Sequence, residues 1–436
     1  MKIKMLTAKT ILKGVLYFVL FLILLYFAWA AYINFHGDEK PDAGRDAFYA
    51  QTEIVIPDID NLAVAMSGIN ASEGADMIKH GRFVINQFEN EIKDGMAKAL
   101  VQAAGKLEFV GTRDDFDCWI DDTIEKTTSN CASTERIKSL IVANKTLIAR
   151  YKDIQTMQHW QGQTYGGGQT FIDLNQLLAA EIKVDIAEGK TELAYQKWYA
   201  NYLFVNRLLN TQTNMIGRAI FLVMQGLSLN SLDAMLHQSP ELITVHQDEL
   251  LHLLPPKGLN EQSLISMLKA EYHFSENAFI KIQSADPKFH ANYIRNRIYH
   301  VHQDILKEAR KTPFLFEDSK NRLHEKYHYG PGDSIHLNWL NPLNSLLSKM
   351  ATRHAFSGFN LVGSMHTKST QVKLLNLSIQ IRAQSIADKD IRAFLIRAGR
   401  NYYNPFTNKP ASWDAVKRVL YVNDLEDKKR RVEVKL

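Results

Sequence analysis

Residues His324-Glu325-Lys326-Tyr327-His328 spell H-E-x-x-H. On a helix, two histidines four residues apart share one face and can bind Zn²⁺. The glutamate between them can act as general base toward a metal-bound water. The chemistry would be metal-assisted hydrolysis. The surrounding sequence opposes it. Lys326 puts a charge inside the motif, and Gly330-Pro331-Gly332 stops a helix just beyond His328. The longer zinc-protease pattern needs a Gly and a third His where Pro331 and Ser334 stand. His336 is a third ligand by proximity only. With 15 histidines in the chain, a chance match is no surprise. The plainer interpretation is a polar surface helix with solvated imidazoles. His300-Val301-His302 is a weaker pair of the same kind. No residue is assigned a catalytic, cofactor-binding or metal-ligating role.

Other chemistry-bearing patterns are missing. There is no G-x-S-x-G elbow, no G-x-G-x-x-G after a strand and no C-x-x-C. Gly166-Gly167-Gly168 lacks a following Lys-Ser/Thr and is a flexible break, not a phosphate loop. The two cysteines, Cys118 and Cys131, enclose 12 residues of polar, loop-like sequence. In an oxidising compartment they form a disulfide, and a bridge closing so short a loop stabilises by about 3 kcal/mol. Two buried free thiols are the alternative. Asp114, Asp115, Asp117, Asp121 and Asp122 nearby lack the Gly and terminal Glu of a calcium loop, so they form a solvated acidic surface.

The compartment follows from the stretch Gly14 to Phe35, which is 22 residues without a charge. A helix that crosses the hydrocarbon core needs about 20 such residues. Lys2, Lys4, Lys9 and Lys13 precede it, with no acidic residue. Asp38, Glu39, Asp42 and Asp46 follow, against Lys40 and Arg45. The positive-inside rule leaves the amino terminus in the cytoplasm and sends the rest of the chain out. A cleaved signal peptide is the rival, with Ala28-Trp29-Ala30 as a small-x-small site. The apolar run continues past that site, which favours a retained anchor.

The remaining sequence is polar enough for a soluble body. Of the 436 residues, 46% are hydrophobic and 23% charged, ordinary for a globular fold. The net charge of +5 includes the four amino-terminal lysines, so the body is nearly balanced and nucleic acid is not a partner.

The body reads as helices. Pro41 to Asp58 has no helical period and is an extended juxtamembrane linker. Asp60 caps a helix to about Met66. Gly74 to Lys106 is helical but broken by glycines. Ser133 opens a helix to about Lys152. Leu174, Leu178, Ile182 and Ile186 recur every four residues, and Gly189 ends that helix. The next presents Tyr195, Trp198, Tyr199, Tyr202, Val205 and Leu209 on one face. The two form an αα-hairpin like one tetratricopeptide unit, without a second copy at that period. Thr213 to Gln238 is apolar but interrupted by Arg218, Gln225 and Asp233, so it is a buried core helix. Helices follow over Glu241 to Leu254 and Leu259 to Ile282. Arg295 to Lys311 is polar and basic, with an irregular stretch to Pro342. Leu343 to Ala355, Ser369 to Ile386 and Asp388 to Arg397 are the last helices. Val419-Leu420-Tyr421-Val422 is the one clear strand, part of a small β-hairpin, and Asp427 to Leu436 is a frayed tail. The fold class is mainly α. The divisions are a cytoplasmic tail (1–13), an anchor (14–35), a linker (36–58), a helical domain (59–400) and a carboxy-terminal turn, hairpin and tail (401–436).

Three blocks carry a resemblance. They are Gly68-Ile69-Asn70-Ala71-Ser72-Glu73-Gly74-Ala75-Asp76, Asp117-Cys118 with Cys131-Ala132, and Asn404-Pro405-Phe406-Thr407-Asn408-Lys409-Pro410 with Trp413-Asp414. In these the chain resembles a family of uncharacterised single-pass inner-membrane proteins of proteobacteria. The resemblance implies a periplasmic helical domain and carries no activity and no site residues. Members typically have Gly where Asn408 stands, and Asn also tolerates left-handed backbone. The expected function is a non-enzymatic scaffold, without cofactor, that binds another envelope protein. The alternative is a membrane-tethered zinc hydrolase using His324, Glu325 and His328.

Overall fold

Helices carry nearly all of the regular structure. The computed structural model describes residues 17–29, 32, 38–50, 56–94, 106–116, 132–162, 167–285, 290–311, 315–328, 342–423 and 431–436. Its helices are α1 (Tyr17–Trp29), α2 (Ala43–Tyr49), α3 (Leu62–Gly68), α4 (Met77–Asp94), α5 (Thr134–Ala143) and α6 (Lys145–Thr156). There follow α7 (Gly168–Ala187), α8 (Thr191–Leu209), α9 (Met215–Gln238), α10 (Glu241–Leu253) and α11 (Glu261–Ala285). The last are α12 (Ala291–Ala309), α13 (Phe316–His328), α14 (Pro342–Ala383) and α15 (Ile391–Arg397). Strands β1 (Ser412–Asp414), β2 (Val419–Asn423) and β3 (Arg431–Lys435) make one antiparallel sheet in the order β1-β2-β3.

The apolar helix α9 sits at the centre. It is the one helix among the described residues long and apolar enough to cross a membrane, and most of it is buried. Three hydrophobic clusters take up its side chains. Met215 joins α2, α11, α12 and the first half of α14. Phe221 and Met224 join α3, α6 and the facing ends of α7 and α8. Leu229, Leu232 and Met235 join α8, α10, the second half of α14 and the sheet. Its apolarity is thus spent on packing, as the interrupting polar residues suggested. The aromatic stripe of α8 is core as well: Trp198 is enclosed and donates its indole N–H to the Ser228 carbonyl at 2.9 Å.

The segment expected to be an extended linker within 36–58 is instead tied down. Asp42 caps α2 by accepting the Gly44 N–H at 2.8 Å. Tyr49 and Arg45 are buried, and Arg45 donates to Asn292 and Asn296 of α12 at 3.2 and 3.1 Å. Helix α12 has no side-chain cap of its own. Asp38 supplies one from far away in sequence, accepting the Asn292 and Tyr293 N–H groups at 3.2 and 3.1 Å. A carboxylate there also suits the positive end of the helix dipole.

Four further expectations are corrected. Asn61, not Asp60, caps α3, because its side chain accepts the Ala63 N–H. The irregular stretch before Pro342 contains α13, anchored by buried Phe316 and Leu323. Residues 356–368, expected to separate two helices, continue α14 without a break over its 42 residues. Gly358 within that stretch stands where Met215 and Leu268 come close: an added Cβ would lie 3.1 Å from the Met215 sulfur. The frayed tail is β3, so the hairpin is a three-stranded sheet. In Arg431-Val432-Glu433-Val434-Lys435 every second residue is Val, and Val434 pairs with Leu420 and is buried against α14.

Candidate functional site

One cleft concentrates polar groups that the fold leaves unused. Helix α14 supplies His366, Ser369 and Lys373, which fall on one helical face. The Pro256–Gly258 loop after α10 makes one wall, and the turn Arg400 to Asn408 makes the other. The enclosed volume is about 290 Å³.

Both walls are pinned to α14. The Ser369 hydroxyl donates to the Lys257 carbonyl at 2.6 Å. One helical turn below Lys373, Asn376 donates to the Leu254 carbonyl at 2.7 Å and accepts the Tyr402 hydroxyl at 2.9 Å. The turn is closed by Asn404. Its side-chain oxygen accepts the Phe406 N–H at 2.9 Å, while its own N–H donates to the Lys409 carbonyl at 2.8 Å. Asn408 takes the left-handed φ of 52° that its type tolerates. Phe406 is buried with its ring edge-on to His366, centroids 5.9 Å apart.

The electrostatics are lopsided. Lys373 is only 8% exposed, yet its ammonium makes no hydrogen bond or ion pair among the described residues. Burial lowers its pKa. Burial also pushes His366 down to about 4, helped by the nearby Lys373 charge, so its imidazole is neutral at pH 7. Neither ring nitrogen has a hydrogen-bond partner among the described residues. Arg400 stands exposed at the rim, and none of the lining residues is acidic. The cleft therefore presents positive charge and unused hydrogen-bonding atoms.

A second polar group, around Tyr49, is enclosed. The Tyr49 ring stacks on Tyr272 with centroids 3.5 Å apart, and its hydroxyl bonds His302 Nδ1 at 2.7 Å. His302 is fully buried, and burial pushes it down to about 3. Nearby, His354 bonds the buried carboxylate of Glu271, which raises the histidine's pKa, and Glu271 also accepts the Met215 N–H at 2.9 Å. This group joins α2, α9, α11, α12 and α14. Its hydrogen bonds and stacked rings tie those helices together.

The H-E-x-x-H lies on α13. Glu325 is exposed and His324 half-buried. Lys326 pairs with Asp304 of α12, and Tyr327 donates its hydroxyl to the same carboxylate at 2.5 Å. The side chain of His328 and all of His336 lie outside the described residues. Among the described residues no group of three His, Cys, Asp or Glu side chains is placed to hold a metal. His300 and His302 do not converge: His300 is exposed beside Asp42 at 3.7 Å, and His302 is enclosed. Cys118 and Cys131 also lie outside the described residues. The flanking Phe116 and Ala132 pack on one small cluster with Ile137 and Leu140.

The sequence singles out Asn404 to Pro410 as a turn and as a block of the resemblance, but assigns no role to Lys373, His366 or Arg400. A signal was there. Lys373 is the one charged residue between Val372 and Ile381, a stretch rich in Leu and Ile where a solvated lysine is out of place. No protein-family model, curated protein or solved structure matches the chain.

Proposed function

We propose that the protein is a single-pass inner-membrane protein of a Gram-negative envelope. Its amino terminus is cytoplasmic, and its periplasmic helical body is a non-catalytic scaffold for another envelope protein. The observation that carries this reading is the contrast between the two apolar helices. The side chains of α9 are spent on the core. Those of α1 are not: Phe18, Phe21, Leu24, Leu25 and Phe27 are all more than half exposed. An exposed apolar helix of this kind is stable in lipid and costly in water. The α7–α8 hairpin is the tetratricopeptide-like unit of this scaffold. An oxidising periplasm bridges Cys118 and Cys131.

A reporter fused after Leu436, active only outside the cytoplasm, tests the topology. Crosslinking in membranes followed by purification of the full chain tests the scaffold. The expected result is periplasmic activity and one recurrent envelope partner. A cytoplasmic carboxy terminus would remove the reading altogether. Recovery of the chain without any crosslinked protein would remove the scaffold half.

A further inference from the structure

We propose that the cleft on α14 is a binding site for a phosphate group, with Lys373 and Arg400 supplying the charge and His366 and Asn404 the hydrogen-bonding atoms. The starting point is Lys373. Its side chain is buried while its ammonium meets the cleft, and a partly desolvated ammonium favours a counter-ion. The chain buries another cation and gives most of its charged end partners, leaving only Nε of Arg218 without one among the described residues. Arg218, fully buried, donates to the Ser263 hydroxyl at 2.8 Å and the Thr211 carbonyl at 2.9 Å. Among the described residues no carboxylate or carbonyl pairs with the Lys373 ammonium, although the side chain lines an open cleft. A counter-ion from outside completes the arrangement.

The lining selects the anion. Two cations approach from different elements, Lys373 on the helix and Arg400 on the turn. No carboxylate opposes them. That balance suits a dianion better than a monoanion. The neutral His366 can donate to a phosphate oxygen through its one N–H, or accept a hydrogen bond from a protonated phosphate oxygen at its other ring nitrogen. The side-chain oxygen of Asn404 is occupied by the Phe406 N–H, which leaves its NH₂ to donate. A volume of about 290 Å³ is room for one phosphate-bearing head group. Free phosphate esters and phospholipid head groups share this chemistry. The site does not depend on the anchoring reading and can be tested without a membrane.

The test uses the full chain in detergent, in a phosphate-free buffer at pH 7. Thermal shift and calorimetric titration are run with inorganic phosphate, dihexanoyl phosphatidic acid and acetate. The expected result is a saturable rise in Tm with phosphate. Lys373→Met and Arg400→Gln should each weaken binding about tenfold or more, the loss of one charge-assisted contact. Lys417→Met, on the exposed β1–β2 turn, should bind as the parent does. Arg400 is exposed, so its variant tests the site even if Lys373→Met fails to fold. Tighter binding of the phosphatidic acid assigns a lipid head group, and equal affinities assign a free ester. Acetate binding as tightly as phosphate would overturn the proposal. So would absence of any saturable effect, or unchanged affinity in both variants.

Discussion

Two of the blocks that carry the resemblance wrap a buried cation, and they treat it in opposite ways. Around Gly68 to Asp76 the cation is Arg150 of α6. Its guanidinium donates to the carbonyls of Ile69 and Ser72 at 2.9 Å each, to Ala75 at 3.3 Å, and also to Ala71. The loop is folded around an internal ligand, and nothing is left over. Around Asn404 to Pro410 the cation is Lys373, and the turn closes on itself without reaching it. Both blocks cost backbone freedom to form. One returns that cost as stability, and the other holds an unsatisfied charge in a cleft. A block of unusual sequence is therefore not evidence of function until its donors and acceptors have been paired off.

The sharpest way to break this contrast is to remove each cation. Arg150→Met should cost about 3–5 kcal/mol in urea unfolding, because four loop carbonyls lose a charged donor at once. Lys373→Met should leave stability within about 1 kcal/mol of the parent, or raise it, since an unpaired buried charge is replaced by an apolar side chain of similar length. Equal losses in the two variants would show that the regions do not differ.

Acidification probes the other buried titratable groups. His302 has a folded pKa of about 3, below its unfolded value. The unfolded chain then binds the extra proton, so stability is complete above about pH 6.5 and is lost as pH falls toward 3. Between pH 7 and pH 4 this one histidine should cost about 3 kcal/mol. His302→Asn does not titrate and can still bond Tyr49, so its unfolding midpoint should change less over that range. A parallel pH profile in the variant would put the proton uptake elsewhere. His354 has the opposite sign: Glu271 raises its pKa, so its contribution is present below about pH 6.5 and is lost as pH rises.

A more modest loss sharpens the view of the first region. Gly68 and Gly81 let α3 and α4 touch backbone to backbone, and a Cβ on Gly81 would fall on the Val64 carbonyl. Gly81→Ala should cost about 1–3 kcal/mol, the range for overpacking. A neutral melting curve would mean that the crossing relaxes easily and that Arg150 alone holds the loop.

How far the sequence could be read follows the range of the interactions. Helices α7, α8 and α9 were legible because their apolar periodicity is local, as is the glycine stop at Gly189, which has a φ of 75°. The linker helix α2 was not. Its seven residues fold there because Asn296 and His302, some 250 positions away, receive them. The strand β3 depends on β2 in the same way, and the continuity of α14 depends on methionines from other helices filling the space at Gly358. The cleft is the extreme case. Lys373, Arg400 and Gly258 are scattered through the sequence, and what marks the site is a missing partner, which only three dimensions reveal.

The capture of Asp38 by the start of α12 sets the length of a leash. Asp38 is fixed to the body, and α1 is described as far as Trp29. Nine residue steps separate the two, so even a fully extended chain spans at most about 32 Å. On the anchoring proposal the body cannot drift away from the bilayer by more than its own dimensions. It explores a thin layer instead of a volume. Any partner confined to the same layer meets it at a high effective concentration, which makes a weak interface sufficient. A partner free in solution gains nothing from the leash.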